Sequence, residues 1–304
     1  MPPTTKPILY RGPLAQVASV DVDDRHLVAA DWKGHVTLWT LGDPRPRWQH
    51  ATGALRGQAT HLARDRVYVT TVGGHVVALA RETGALLTRV EGLGTTNGHD
   101  ALALCGDTLL CFGDGADGRS GRVAGLDADT LATRWTRDEN ELFRGSTNDS
   151  VYVVSRVHTP SAPWTLRELS ARDGVVRRSW SAPFWPIALD AARGTLCLGE
   201  PTFVEFRPLA ALDRPGPRCP ARAWTTTPAR FSPDGALLAM TAGEGVLFVD
   251  VRDASARMSS IRHTKAAGCL RWGPSGDRLY SGGWDRTVRE HRRDTGPATV
   301  RSAR

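Results

Sequence analysis

The chain lacks most of the features that announce a common function. No stretch approaches the roughly 20 consecutive apolar residues of a bilayer-crossing helix, so no helical membrane span is expected. The start, Met1-Pro2-Pro3-Thr4-Thr5-Lys6, runs into Pro7 and Arg11 instead of an apolar segment, so no secretory signal is visible and the cytoplasm is the expected location. The 5 cysteines (Cys105, Cys111, Cys197, Cys219, Cys269) are an odd number with no C-x-x-C pair. That spacing fits neither a disulfide framework nor a thiolate metal or redox motif, and buried free thiols are expected. Lysine is scarce: of 39 basic residues only Lys6, Lys33 and Lys265 are lysine.

Catalytic signatures are equally thin. There is no Gly-x-Ser-x-Gly, and Ser155, Ser181 and Ser232 stand in no strand-turn-helix context. The tempting segment Gly113-Asp114-Gly115-Ala116-Asp117-Gly118-Arg119-Ser120-Gly121 fails both the EF-hand and the phosphate-loop spacing. Gly and Asp supply the positive φ of an extended hairpin turn, which is the reading it receives. His35 and His75 repeat one position in successive units, so they do not converge on a metal. No cofactor and no metal are implied, and the chain is not expected to be an enzyme.

What is present is repetition. Leu279-Tyr280-Ser281-Gly282-Gly283-Trp284-Asp285-Arg286-Thr287-Val288-Arg289-Glu290-His291 reads as strand, tight turn and strand. Weaker copies recur about every 42 residues, a period that marks propeller blades. The strand-turn-strand cores run Leu27 to Leu41, Val67 to Ala80, Leu109 to Leu126, Val151 to Leu169, Leu196 to Arg207, Leu237 to Val251 and Leu279 to His291. An offset of 252 residues, six repeats, carries Trp32 onto Trp284, Val36 onto Val288 and Trp39 onto His291.

Strands such as Val67-Tyr68-Val69-Thr70-Thr71-Val72 are continuously apolar or β-branched, as in sheets covered on both faces. Blades stacked around an axis are covered in that way, and a ring of them is stable only when closed. The reading is therefore an all-β, seven-bladed β-propeller of four-stranded antiparallel blades. One domain spans residues 1–304, with repeats over about 8–296 and the tail 297–304 lying beside the last blade or frayed. Ile8-Leu9-Tyr10-Arg11 is read as an outermost strand that joins the last blade and closes the ring. Trp48, Trp135, Trp180 and Trp224 fall in outer strands, where recurrence argues for packing.

These features resemble the WD-repeat propellers. Units six and seven carry the likeness through Phe231-Ser232-Pro233-Asp234-Gly235 and Trp272-Gly273-Pro274-Ser275-Gly276. The resemblance implies a structural hydrogen-bond network made by a histidine, a serine or threonine, an aspartate and a tryptophan. It maps to His263, Ser281 and Asp285, with His291 standing where tryptophan is expected. Units two to four are similar to the quinoprotein-type repeat, through Gly74-His75-Val76-Val77-Ala78-Leu79 with Glu82-Thr83-Gly84, and Gly121-Arg122-Val123-Ala124-Gly125-Leu126-Asp127 with Trp135.

In a propeller the blade-to-blade connections and the second-to-third-strand turns open on one face. That rim is expected to collect Trp32 and Trp284 in turns of neighbouring units, Trp164 in the longer turn of unit four, Phe184 and Trp185 in the connection entering unit five, and Phe143 entering unit four. Lys33, Lys265 and Arg286 lie beside them. An aromatic, basic rim reads as a docking face; the alternative is that the rings fold back between blades. The leading function is a non-catalytic scaffold for a protein or peptide partner in a multi-component assembly. The net charge of +7 lies mostly in residues 250–304, with 12 basic against 6 acidic residues. Nucleic-acid binding through that basic third is therefore the alternative reading. A hydrolase using the central channel ranks behind both, because the expected inner strands, including Thr60-His61-Leu62-Ala63 and Gly268-Cys269-Leu270-Arg271, are nearly free of carboxylates.

Overall fold

A computed structural model describes residues 8–53, 57–91, 102–114, 121–138, 141–155, 163–221 and 228–293. Trp224, most of the Gly-Asp segment at 113–121 and the tail 297–304 lie outside the described residues. The first strand is β1 (Leu9–Arg11). Blade 1 follows as β2 (Val17–Val22), β3 (His26–Asp31), β4 (His35–Thr40) and β5 (Pro46–Ala51). Blade 2 is β6 (Gly57–Leu62), β7 (Arg66–Thr71), β8 (Val76–Ala80) and β9 (Leu86–Val90). Blade 3 is β10 (Leu102–Cys105), β11 (Thr108–Asp114), β12 (Gly121–Asp127) and β13 (Thr133–Arg137). Blade 4 is β14 (Glu141–Ser146), β15 (Ser150–Ser155), β16 (Trp164–Ser170) and β17 (Val176–Ala182). Blade 5 is β18 (Trp185–Asp190), β19 (Thr195–Glu200), β20 (Phe203–Pro208) and β21 (Arg218–Cys219). Blade 6 is β22 (Ala229–Phe231), β23 (Leu237–Ala242), β24 (Gly245–Asp250) and β25 (Ala256–Met258).

Blade 7 combines β26 (Ala267–Trp272), β27 (Arg278–Gly283) and β28 (Thr287–Arg292) with β1, in the order β1-β28-β27-β26. The fold is thus seven four-stranded antiparallel sheets, with the N-terminal strand closing the ring. Leu9 pairs with Arg289, Tyr10 with Val288 and Arg11 with Thr287. Tyr10 is fully buried, edge-on to Trp39 at 5.8 Å and tilted against Tyr280 at 6.3 Å. Its hydroxyl accepts the Gly42 amide at 3.1 Å. Closure therefore rests on a large aromatic side chain as well as on backbone pairing.

Burial follows strand position. Inner and central strands such as β2 and β3 are buried at every residue, whereas β5 and β9 alternate between exposed and half-buried. The apolar core is accordingly spread around the ring between blades: Val28, Leu38, Val67 and Leu79 fill the gap between blades 1 and 2, and Leu237, Phe248, Leu270 and Leu279 that between blades 6 and 7. Two outer-strand tryptophans tie their blades to the next. Trp48 donates its indole N–H to the Arg81 carbonyl at 2.8 Å, and Trp135 reaches Ala171 at 3.0 Å. Both rings lie flat on a turn glycine of the following blade. Gly84 has φ of +71°, and a Cβ there would meet the Trp48 ring at 2.7 Å, so only glycine suits the turn.

Candidate functional site

The turns between second and third strands bring blades 1 and 7 together at one seam. Trp32 leaves β3 and Trp284 leaves β27, and their rings meet at 5.9 Å with a tilt of 54°. Trp32 is half-buried, whereas Trp284 keeps 41% of its surface exposed. The Trp284 indole leans over Gly268, where a Cβ would stand 3.0 Å from its Nε1. Lys33, Lys265 and Arg286 are all exposed around the pair. Arg286 holds φ of +65°, a conformation uncommon outside glycine, asparagine and aspartate.

Two residues that pattern reading missed complete this patch. Leu14 is 50% exposed on the segment joining β1 to β2. Asp31 is fully buried and accepts the amides of Leu14 (2.8 Å), Ala15 (3.1 Å), Lys33 (2.8 Å) and His35 (3.0 Å). One carboxylate thereby fixes the segment that carries Leu14 and the turn that carries Trp32. Its only sequence signal is its place just before the turn, an aspartate followed by Trp-Lys-Gly.

Behind Trp284 lies a buried polar relay. Asp285 Oδ1 stands 2.9 Å from His263 Nδ1, His263 Nε2 is 2.8 Å from Ser281 Oγ, and Ser281 Oγ is 2.6 Å from His291 Nε2. His291 Nδ1 then meets Ser259 Oγ at 2.8 Å. A carboxylate can only accept, so His263 donates from Nδ1 and accepts the Ser281 hydroxyl at Nε2. Ser281 must then accept from His291 Nε2, and Ser259 donates to His291 Nδ1. Every link is satisfied when both imidazoles are neutral.

The electrostatics agree. Burial pushes His291 down to about 3, with the charges of His263 and Arg289 acting in the same direction. Burial also lowers His263, against the opposing pull of Asp285. Burial alone would raise Asp285, but donors from Thr287, the Thr264 amide and His263 outweigh it and hold the carboxyl at about 2. The relay joins the connection before β26 to β27, the turn and β28, so it braces the loop that carries Trp284 and Arg286.

The remaining aromatic candidates pack inward. Trp164 opens β16, just after the longer turn, and Trp185 opens the inner strand β18. The two rings meet edge-on at 4.1 Å, and Trp185 is only 6% exposed. Phe184 is half-buried against Phe203 at 5.4 Å, under the guanidinium groups of Arg207 and Arg218. Phe143 sits within β14, half-buried against Phe112 at 5.3 Å. The nine rim candidates thus divide into five at the seam and four packed among blades 3 to 5.

Inner strands carry more charge than their apolar centres suggest, because it falls toward their ends. Asp21 Oδ1 stands 2.7 Å from Arg271 Nε, and its Oδ2 accepts the Leu62 amide at 2.7 Å and lies 3.3 Å from His61. Glu141 pairs with Arg167 at 3.0 Å, and Asp190 with Arg193 at 3.0 Å. Among the described residues no three His, Cys, Asp or Glu side chains gather at metal-binding spacing, and no helix is long and apolar enough to cross a membrane. All five cysteines are buried and free.

Many C-terminal arginines are engaged within the fold. Arg271 faces Asp21 (2.7 Å), Arg278 and Arg292 face Glu290 (3.5 and 3.4 Å), Arg289 faces Asp285 (3.4 Å) and Arg293 pairs with Asp234. The basic third is therefore a lattice of ion pairs more than a bare cationic stripe.

The family model of the WD domain, G-beta repeat, matches residues 257–290. This span runs from β25 through β26 and β27 into β28 and contains the whole relay except His291. Among curated proteins no sequence matches the chain. The family match lies outside residues 74–135, so the quinoprotein-type likeness of units two to four rests on those residues alone. Propellers of the WD40 kind are generally protein-interaction scaffolds and typically not enzymes. Seven four-stranded blades, closed by the first strand, make the chain a seven-bladed β-propeller whose last blade matches the WD repeat.

Proposed function

We propose that the protein is a non-catalytic scaffold that docks a protein or peptide partner on the seam between blades 1 and 7. The observation that carries the reading is the Trp32–Trp284 pair, open to solvent at Trp284 and bordered by exposed Leu14, Lys33, Lys265 and Arg286. Exposed tryptophan flanked by apolar and basic side chains matches the composition of interface centres. The basic border favours a partner segment that brings acidic residues to its apolar contact. Asp31 and the His263 relay hold the loops in place before binding, which lowers the ordering cost of association.

The test is capture of partners from the native host by the wild-type protein and by Trp284→Ala and Trp32→Ala variants, identified by mass spectrometry. The variants are expected to lose a partner that the wild type retains, with a melt nearly unchanged for Trp284→Ala. A large fall in melting temperature for Trp284→Ala would mean that the ring is core and would overturn the reading. The ion pairing of the C-terminal arginines leaves less cationic surface for a nucleic-acid role, and a shallow salt dependence is expected with short RNA or DNA.

A further inference from the structure

The opposite ends of blades 1 and 7 hold a second feature, away from the docking face. There the β2–β3 turn, the connection after β4 and the β26–β27 turn enclose a half-open cleft of about 270 Å³. Tyr280 lines it from β27. This side chain is only 1% exposed, yet its hydroxyl has no hydrogen-bond partner among the described residues. By contrast the Tyr10 hydroxyl, on a ring 6.3 Å away, takes the Gly42 amide. Arg278 is the cation that faces Tyr280, and a guanidinium can only donate. The Tyr280 proton is therefore without an acceptor inside the fold, a state that costs stability. Charge in the lining, meanwhile, is nearly balanced. Asp23 pairs with Arg81, Asp277 with the Ser275 hydroxyl and with Arg278 at 3.7 Å, and Arg278 also with Glu290 at 3.5 Å. Asp24, exposed next to Asp23, is the one lining carboxylate with no partner among the described residues.

We infer that this cleft binds a small neutral polyhydroxylated molecule, of the size of one sugar or cyclitol ring. Balanced charge gives an ion of either sign little to gain, whereas donors and acceptors stand close together in one small space. A hydroxyl group both donates and accepts, so a ligand with several adjacent hydroxyls serves both kinds. One ligand oxygen accepts the Tyr280 proton, a neighbouring hydroxyl donates to Asp24 or Asp277, and Arg278 donates to a further oxygen. The volume, room for about nine waters, limits the enclosed part of the ligand to a single ring. Retention of an orphaned hydroxyl at the cleft wall, where phenylalanine would pack as well, is what the assignment explains.

The experiment records saturation-transfer NMR on the full chain with myo-inositol, D-glucose, cyclohexanol and agmatine as probes. Millimolar affinity is expected for a ligand of this size. Inositol or glucose should show transfer that cyclohexanol, with one hydroxyl, lacks. Tyr280→Phe keeps the ring and removes only the oxygen, so affinity for the polyol should fall about fivefold. The same variant should melt no lower than the wild type, because it sheds an unsatisfied group. Asp24→Ala, at an exposed turn position, should weaken binding about tenfold through loss of a charge-assisted hydrogen bond. Silence from both polyols, equal transfer from cyclohexanol, or unchanged affinity in either variant would overturn the proposal. Tighter binding of agmatine would assign the cleft to a cation and overturn it too. A fall of more than about 2 °C in the Tyr280→Phe melt would show that the hydroxyl has its acceptor within the fold, with the same result. None of these outcomes bears on partner capture at the seam, which uses the other ends of these blades.

Discussion

Acid should loosen this propeller through His291. In the folded chain the imidazole is buried and neutral, with its affinity for a proton pushed down to about 3, whereas an unfolded histidine titrates near 6.5. The folded pKa is the lower one, so the unfolded state takes up the proton first as pH falls. Stability contributed by this group is complete above about pH 6.5 and is lost progressively as pH drops toward 3. Between pH 7 and pH 5 the loss is about 2 kcal/mol, since the unfolded group is then almost fully charged and the folded group is not. For a chain of this size that corresponds to a fall of about 3 °C in melting temperature.

The clean comparison is His291→Gln, which can still hydrogen-bond Ser281 and Ser259 but cannot titrate. Melts followed by circular dichroism at pH 7 and pH 5 should show the wild type losing about 2 kcal/mol more than the variant over that interval. His263 and His61, which burial also lowers, remain in both proteins and largely cancel in the difference. Equal losses in the two proteins would refute the argument, because they would mean that His291 is not held neutral by its surroundings. The tryptophan that WD-repeat propellers place at this position has no proton to gain, so His291→Trp should also abolish the difference.

Three further outcomes follow from the packing. Tyr10→Ala removes a fully buried ring from the closure strand and should cost about 3–5 kcal/mol, read as a lowered midpoint in urea; a loss under about 1 kcal/mol would show that β1 is peripheral to closure. Asp31→Ala leaves four amides without their acceptor and should cost about 2–4 kcal/mol, while partner capture falls even at temperatures where the variant is folded. The five cysteines should resist alkylation at pH 8 in the native state and react together on unfolding, because all are buried and burial pushes each thiol upward, Cys105 to about 11 and Cys269 to about 12; rapid native labelling of any one would contradict its placement.

Much of the architecture was legible in the sequence because it repeats. All seven strand-turn-strand cores coincide with second and third strands, and Ile8-Leu9-Tyr10-Arg11 pairs with the last blade. The positions of His263, Ser281, Asp285 and His291 were legible too, since they occur at fixed places within one unit. Exposure was not. Trp185 and Trp284 are the same residue type at strand ends, yet Trp164 covers the first ring edge-on while Trp32 leaves the second 41% exposed. That difference depends on side chains from other strands and on loop direction, which no single-unit pattern contains. Leu14 and Asp31 escaped notice for a related reason: their importance lies in contacts across about 17 residues of sequence, between a connecting segment and a turn. The Asp21–Arg271 pair joins blades 1 and 7, at opposite ends of the sequence, and forms only when the ring shuts. Asp21 and Asp190 sit near the ends of β2 and β18, beyond the apolar runs that mark those strands.

The pairing of Tyr10 with Val288 sets a timing problem for biosynthesis. The segment that fastens the circle emerges from the ribosome early, and its partner emerges only after six complete sheets have been made. During that interval a large apolar ring and an unpaired strand edge stay open to passing molecules, a state prone to mispairing. Bringing such distant points together also carries a heavy entropic toll before any contact repays it. Maturation of this protein should therefore be governed by its final step, the meeting of its two distant edges, and shielding the waiting strand should speed recovery of the native form more than stabilising any blade in the middle.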